Sequence, residues 1–173
     1  MCRLAWIVKI DVSAFTTDHR KNVTMRPSPA ITNAWISIMR TQQLLLGAIE
    51  RALKAENLPP LGWYDVLLEL SRAENDRLRP FEIEERTLMA QHNLSRLLDR
   101  MEKAELVERE VYAQDARGRW VILTAQGRTM QAAMWRVYAA ALQRHIGDKI
   151  DDRQAEQLCA LMSPLTVDLR KTT

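Results

Sequence analysis

Apolar side chains recur every three or four residues along most of this chain, which is the period of an amphipathic helix. The pattern is sustained from Ile31 to about Glu56, where "LPPLG" ends it. The helices predicted in this way cover residues 31–56, 63–70, 81–88, 91–104, 125–146 and 151–163. Residues 1–30 show no sustained period and are expected to form a disordered arm, with residues 166–173 as a short tail.

Between the fourth and fifth helices the apolar pattern changes to that of short strands. The runs "VEREV" and "RWVIL" flank "YAQDARG", in which Asp115 and Gly118 are turn-forming residues. Thr124 then begins the fifth helix as its N-cap, and Asp151 with Gln154 predicts a capping box for the sixth. The predicted fold class is mainly α with one small β-hairpin.

Length and composition indicate one ordinary globular domain. The chain has 173 residues, of which 47% are hydrophobic and 27% charged, so it can bury a substantial core. Its longest apolar runs, "LAWIV" and "LLLGAI", fall well short of the roughly 20 residues that a membrane helix needs. Lys9 and Asp11 interrupt the N-terminal apolar patch, which makes it a poor signal peptide. We therefore expect a cytoplasmic protein with no membrane partner.

The residue types that carry enzymatic or metal chemistry are few and scattered. Five glycines provide neither G-x-S-x-G nor a phosphate loop, so we expect no catalytic residues, no enzymatic activity and no cofactor. The three histidines and two cysteines have no ligand spacing, which argues against a metal site. Cys2 and Cys159 are interpreted as structural thiols. Redox sensing is the alternative, and it would need nearby positive charge to lower a thiol pKa.

The predicted helix over residues 91–104 separates its charges in space although they nearly cancel in sum. One face carries Leu94, Leu97, Leu98 and Met101. The opposite face carries a polar and cationic stripe of His92, Asn93, Arg96, Arg100 and Lys103. Asp99 borders this stripe, and Glu102 and Glu105 fall to its side. The formal net charge of only +3 therefore does not exclude an anionic partner.

Such a stripe suits a helix in the DNA major groove, where N-terminal residues meet base edges and longer cations reach phosphates. Amide, imidazole and hydroxyl groups begin the helix at Gln91, His92, Asn93 and Ser95. From the helix alone, an ordinary solvated face is the simpler interpretation. The short helix before it and the hairpin after it, with Arg117 and Arg119 near the tip, favour a winged helix-turn-helix.

The segments "WYDVLLEL", "NLSRLLDRMEKAELVERE" and "DARGRWVILTAQGR", with long helices on both sides, resemble the MarR family of transcriptional regulators over about residues 31–165. The resemblance implies an obligate homodimer on pseudo-palindromic double-stranded DNA, with dimerisation helices at 31–56, 125–146 and 151–163. It places the DNA-binding lobe at about 62–123, the recognition helix at 91–104 and the wing at 107–123. Arg117 would enter the minor groove, and Asp115 would orient either Arg96 or Arg100.

One residue departs from the family pattern, because Glu105 stands where members usually have glycine just past the recognition helix. That glycine permits a left-handed helix end, which costs a non-glycine residue on the order of 1 kcal/mol. The helix is expected either to accept this cost or to end in another way.

The resemblance also implies a small aromatic or phenolic effector, bound between the dimerisation helices and the DNA-binding lobe. The candidate pocket residues are Trp35, Met39, Trp63, Tyr64, Asp65 and Arg109. A structural role for the tryptophans in the core is the simpler alternative. The predicted function is a sequence-specific repressor released by such a ligand. The alternative is a dimeric winged-helix adaptor or ligand-binding protein that does not bind DNA, which would have no need of Arg96, Arg100 and Arg117.

Overall fold

The computed structural model describes residues 26–111 and 119–170. Its six α-helices are α1 (Pro29–Ala55), α2 (Leu61–Arg72), α3 (Pro80–Thr87), α4 (Gln91–Lys103), α5 (Ala125–Leu142) and α6 (Asp152–Arg170). The strands are β1 (Arg77–Leu78), β2 (Val107–Val111) and β3 (Arg119–Leu123). A 3₁₀ turn at Glu74–Asp76 precedes β1, and a π-helical turn at Gln143–Gly147 extends α5. The chain divides into two compact units, residues 1–37 and 38–173.

Local hydrogen bonds fix the beginning of α1 in the first unit. Ser28 Oγ accepts from the backbone N–H of Ile31 at 3.2 Å, and the Thr32 hydroxyl donates to the Ser28 carbonyl at 3.1 Å. Pro29 suits the first helical position, where its missing N–H would have no partner in any case. The helix therefore begins inside the predicted arm of residues 1–30, of which residues 1–25 lie outside the described part of the chain.

The core of the second unit lies between α2, α3, α4, the sheet and the neighbouring parts of α1 and α5. Its fully buried side chains are Leu53, Val66, Leu67, Leu70, Ile83, Leu94, Met101, Leu106, Val107, Val121 and Met134. Each such aliphatic side chain contributes roughly 1.5–3 kcal/mol by leaving water. The core therefore holds α4 firmly against the rest of the unit and fixes which of its faces points outward.

The hairpin is part of a three-stranded antiparallel sheet with strand order β1-β3-β2. Arg109 of β2 and Leu78 of β1 both pair with Val121 on the central strand. The mainly α fold with a small β element is confirmed, but the sequence did not predict β1. Two residues ahead of a proline are too few to show an alternating pattern, and β1 exists because β3 offers it a free edge.

The last helix extends further than predicted. It continues through Pro164 to Arg170, whereas the pattern ended it at 163 and placed a tail at 166–173. Pro164 cannot donate to the carbonyl four residues earlier, but Ala160 is exposed and water can satisfy that carbonyl. The Thr166 hydroxyl donates to the Met162 carbonyl at 3.0 Å, which supports the turn around the proline. The predicted tail is thus largely helical.

Three helix ends use the left-handed backbone conformation without glycine. Asn57 after α1, Leu88 after α3 and Glu105 after α4 have φ of 55°, 57° and 58°. Asparagine tolerates this region comparatively well, but leucine and glutamate are strained there. The turn between α3 and α4 is therefore short and tight, and it fixes the angle at which α4 leaves α3.

Candidate nucleic-acid interface

Helix α4 presents its polar stripe to solvent, as its sequence pattern predicted. Leu94, Leu97, Leu98 and Met101 are buried. All of the predicted DNA-contacting residues on this helix are exposed, namely Gln91, His92, Asn93, Ser95, Arg96, Arg100 and Lys103. Among the described residues, Arg96, Arg100 and Lys103 make no ion pair, so their charges are available to a ligand.

Two of the acids on α4 are paired instead with Arg109 of β2. The Arg109 guanidinium lies 2.7 Å from Asp99 Oδ1 and 3.5 Å from Glu102 Oε2, and its side chain is only 19% exposed. Both acids are partly solvated, so the stabilisation from these contacts is modest. The pairs nevertheless offset the negative charges nearest the stripe, and they tie α4 to the strand that begins the wing.

The C-terminal end of α4 keeps the glycine-type geometry although Glu105 occupies the position. Leu106 N donates to the Met101 carbonyl at 3.0 Å and Glu105 N to the Glu102 carbonyl at 2.9 Å, which is a Schellman motif. Of the two expected outcomes, the helix accepts the strain. Buried Leu106 packs in the core, which holds the turn in place.

The first turn of α5 holds this end of α4 from outside. Thr124 caps α5 by accepting from Gly127 N at 2.9 Å, while its hydroxyl donates to the Glu105 carbonyl at 2.7 Å and its N–H to the Leu106 carbonyl. A Cβ on Gly127 would lie 2.1 Å from the Leu106 carbonyl oxygen. We call this junction between the end of α4 and the start of α5 the Thr124 seam.

The described part of the wing leaves several predicted residues untested. Asp115 and Arg117 lie outside the described residues, so the proposed orientation of Arg96 or Arg100 by Asp115 stays a prediction. Arg119 begins β3 opposite Val111. The loop that would carry the minor-groove contact therefore joins two well-paired strands.

The structure brings two cations to the base of the wing that the sequence analysis missed. The guanidinium groups of Arg77 and Arg79 lie 4.7 Å and 5.2 Å from the centre of the Trp120 ring, within cation–π range. The motif "RLRP" contains both arginines, but the sequence alone could not show that the pairing of β1 with β3 brings them beside Trp120. These arginines add positive charge beside Trp120 of β3.

Three of the predicted ligand-pocket residues line two different cavities of the second unit, and the predicted pocket as a whole stays a prediction. Trp63 lines a cavity of about 680 Å³ beside Arg96 and Arg100, whereas Tyr64 and Asp65 line another of about 430 Å³ beside α5. Successive residues on a helix point about 100° apart, so neighbours in sequence face different cavities.

Of the other three candidate pocket residues, one has ion-pair partners and two are exposed. Arg109 is taken up by Asp99 and Glu102. Trp35, in the first unit, is 61% exposed, and Met39 is 39% exposed. Of the two proposed tryptophans, Trp63 is the one that packs against the core, which agrees with the structural alternative for that residue.

Other kinds of site receive no support from the described residues. They contain no group of three or more His, Cys, Asp or Glu side chains arranged to hold a metal ion. None of the helices formed by residues 26–111 and 119–170 is long and apolar enough to cross a bilayer. Cys159 is a free, exposed thiol on α6.

Comparison with known proteins places this architecture among winged-helix regulators. Residues 56–118 match the family model described as MarR family. A search of curated proteins finds no match. Among solved structures, AbsC of Streptomyces coelicolor, a MarR family transcriptional regulator, superposes with a TM-score of 0.76 at 27% identity, covering 84% of this chain and 98% of AbsC.

Two further structures show the same fold in functional contexts of their own. Sco3205 of Streptomyces coelicolor, a MarR family regulator solved in complex with DNA, has a TM-score of 0.75 at 24% identity, covering 82% of this chain and 89% of Sco3205. BpsR of Bordetella bronchiseptica, whose DNA binding is regulated by 6-hydroxynicotinic acid, has a TM-score of 0.69 at 15% identity, covering 78% and 98%. At these identities the likeness concerns the fold.

Proposed function

The winged-helix region of this chain belongs to the MarR family, and from that premise we propose that the protein is a sequence-specific, DNA-binding transcriptional repressor. It performs no covalent chemistry. The observation that carries the proposal is the outward stripe of α4, where Arg96, Arg100 and Lys103 are exposed and, among described residues, unpaired. Sco3205, which shares this fold, was solved in complex with DNA.

The charge arrangement supports recognition of DNA over a purely structural role for α4. A solvated helix gains most from pairing its own acids and bases at i,i+4 spacing. Here Asp99 and Glu102 instead pair with Arg109 of another element, which leaves the arginines of α4 unpaired. Such a surface attracts phosphates, and the polar residues at its N-terminal end have the donors and acceptors that base edges require.

The proposed active form is a homodimer. Leu158, Leu161 and Leu165 of α6 are between 51% and 74% exposed, which is an unusual apolar stripe for a helix that stays in water. Between α1 and α5 lies a groove of about 850 Å³ whose floor carries several alanines and whose rim carries Arg51, Arg136 and Arg144. We infer that α6 of a second copy covers this groove, because Asp152 and Glu156 beside its leucines are opposite in charge to these arginines.

Release by a small molecule completes the proposal. BpsR shows that DNA binding on this fold is regulated by a small molecule in at least one protein. In this chain the cavity beside α5 has a suitable size and an aromatic lining. The alternative function is a dimeric adaptor that does not bind DNA, and it would leave the exposed cations of α4 without a role.

Selection of genomic fragments by the purified full-length protein, followed by footprinting, tests the function. We expect two inverted half-sites roughly 10 bp apart, because a two-fold dimer places two α4 helices one helical turn apart. Light scattering on the same sample should give the mass of two chains. No enrichment above random fragments, from a folded dimer, would favour the adaptor.

A further inference from the structure

A compact group of three aromatic side chains lines the cavity between α2 and α5. The rings of Tyr64 and Trp135 are nearly parallel at 16°, with centroids 6.0 Å apart. Tyr138 meets both rings edge-on, at 5.3 Å from Tyr64 and 5.8 Å from Trp135. The cavity measures about 430 Å³, within the range of small-molecule sites. We call Tyr64, Trp135, Tyr138 and the neighbouring Asp65 the aromatic cavity.

Asp65 is the one acid among the residues that line this cavity. It makes no ion pair or side-chain hydrogen bond within the described ranges. Burial raises the pKa of the Asp65 carboxyl, and the negative charges of Glu69 on α2 and Glu50 on α1 raise it further. A half-buried acid without an ion pair costs stability, and such groups often mark ligand sites.

Arg72 shares the lining of the cavity with Asp65. The Arg72 side chain is 65% exposed and lies 3.8 Å from Glu69, which also approaches Arg86. On α5, burial and then the negative charge of Asp65 raise the pKa of Tyr138, so this phenol is neutral at physiological pH. Of the two charged residues that line the cavity, Arg72 is paired with Glu69, whereas Asp65 has no ion pair among the described residues.

We propose that the aromatic cavity binds an organic cation, an ammonium group carried on a flat apolar body, rather than a phenolate or carboxylate. Aromatic faces attract cations through their electron-rich centres, and recognition of ammonium ligands commonly combines several such faces. Asp65 supplies the counter-charge, and the ligand's apolar body lies against Trp135 and Leu142. An anion would instead meet the Asp65 carboxylate, which has no ion pair among the described residues, while Arg72 already has Glu69 as a partner. The cavity beside Trp63, which Arg96 and Arg100 line, has the opposite character.

Two probes of the same shape and opposite charge test this proposal on the full-length protein without DNA. Tryptamine and indole-3-acetate share an indole ring and differ in the sign of their charge. By isothermal titration calorimetry at pH 7, we expect tryptamine to bind at least tenfold more tightly. Equal affinity, tighter binding of indole-3-acetate, or no heat from either probe at millimolar concentration would overturn the proposal.

Variants assign the binding to the cavity. Asp65→Asn keeps the shape and removes the charge, so the preference for tryptamine should fall to about twofold or less. Trp135→Leu should weaken tryptamine several-fold, since Trp135 is half-exposed and its replacement does not open the core. The control is Glu85→Gln on α3, which removes one exposed negative charge away from the cavity. A preference that survives Asp65→Asn, or is lost equally in Glu85→Gln, would place the cation elsewhere and refute the assignment.

A role for this cation as the effector rests on the proposed function, and a second measurement separates the two. Tryptamine is added to the protein bound to its selected DNA, and release is measured by fluorescence anisotropy. Release that Asp65→Asn abolishes supports both proposals together. If the protein binds tryptamine but no DNA, the cation site stands and the proposed regulator fails. If it binds DNA but not tryptamine, the reverse holds.

Discussion

The outward face of α4 and the aromatic cavity use charge in opposite ways. On α4 the acids Asp99 and Glu102 are paired with Arg109, and the arginines are exposed. In the cavity Asp65 is half-buried with no paired cation among the described residues, and burial raises its pKa. Net charge therefore describes neither surface, because the neighbours of each charged group decide which sign a ligand meets.

The largest effect is expected on DNA affinity, when the cations of α4 are removed. Arg96→Ala and Arg100→Ala should each cost about 1–3 kcal/mol on the selected site, or roughly 5- to 150-fold, if the side chain contacts a guanine. A contact to phosphate alone would weaken all sequences evenly and flatten the salt dependence by about one unit. Fluorescence anisotropy across a salt series on selected and scrambled duplexes distinguishes these outcomes.

The matched control for those variants is Lys149→Ala, which removes an exposed cation from the turn after α5. It should alter neither affinity nor salt dependence. Arg117→Ala, at the predicted wing tip, should weaken selected and scrambled DNA together. If folded dimers of Arg96→Ala, Arg100→Ala and Arg117→Ala bind DNA like the wild type, the proposal that α4 and the wing bind DNA is wrong.

The free energy of unfolding should fall when an extra methyl group is placed in the Thr124 seam. Gly127→Ala places a Cβ 2.1 Å from the Leu106 carbonyl oxygen and 2.8 Å from Leu123, and the backbone there cannot yield cheaply. We expect a loss of about 1–3 kcal/mol in the free energy of unfolding, measured by urea denaturation. Gly47→Ala on α1 is the matched control, since its nearest neighbour lies 3.4 Å away and alanine favours the helix. Equal behaviour of the two variants would mean that the seam is not close-packed.

Relief of strain at the same junction should have a smaller effect of the opposite sign. Glu105→Gly removes the steric cost of φ 58° and should raise the free energy of unfolding by about 1 kcal/mol. Glu105→Ala keeps a Cβ in the left-handed region and should gain little. If both substitutions were equally stabilising, the side-chain charge of Glu105 would be responsible and not its backbone.

Loss of Arg109 should lower DNA affinity, because it leaves Asp99 and Glu102 unpaired beside the cations of α4. Arg109→Met should weaken DNA binding by about 0.5–1 kcal/mol, the usual scale of a partly exposed ion pair. Adding Asp99→Asn and Glu102→Gln to that variant should restore affinity, because the negative charges are then gone. Arg153→Met on α6 removes the same charge at a distance and serves as control. Failure of the restored variant would show that Arg109 acts by its shape.

The smallest effect is a dependence of stability on pH that Asp65 should contribute. Because its pKa is raised in the folded state, the folded chain binds more protons than the unfolded chain between the usual value of 3.8 and the folded value. This contribution to stability therefore falls as pH rises through that window. Asp65→Asn should be more stable than wild type at pH 7, and urea denaturation should show the difference shrinking toward pH 3.8.

Periodic patterns predicted most of the fold, because a helix with one buried face has apolar residues at regular spacing over many positions. The buried face of α4, the cap at Thr124 and the capping box of α6 were all found in the structure, the last with Gln154 N donating to Asp151 Oδ1 at 2.8 Å. Strand β1 was not predictable, because its two residues have meaning only beside β3.

One candidate site could be predicted from local sequence and the other could not. The stripe of α4 is local and could be predicted, whereas the aromatic cavity joins Tyr64 to Trp135 and Tyr138 across about 70 residues of sequence. Periodicity marked Trp35, Trp63 and Tyr64 as aromatic residues near helices, but it could not say which of them meet. The sequence could not predict the ion-pair partners of Arg109 either, since these pairs depend on how β2 lies against α4.

The Thr124 seam also has a mechanical consequence, because it makes α5 a lever with a fixed pivot. Trp135 lies eleven residues beyond Thr124, or about 16 Å along the axis at 1.5 Å per residue. With its first turn held at the seam, α5 converts a displacement of 1 Å at Trp135 into a tilt of roughly 4° about Thr124. The hydroxyl and N–H of Thr124 would transmit that torque to the carbonyls of Glu105 and Leu106, where α4 ends.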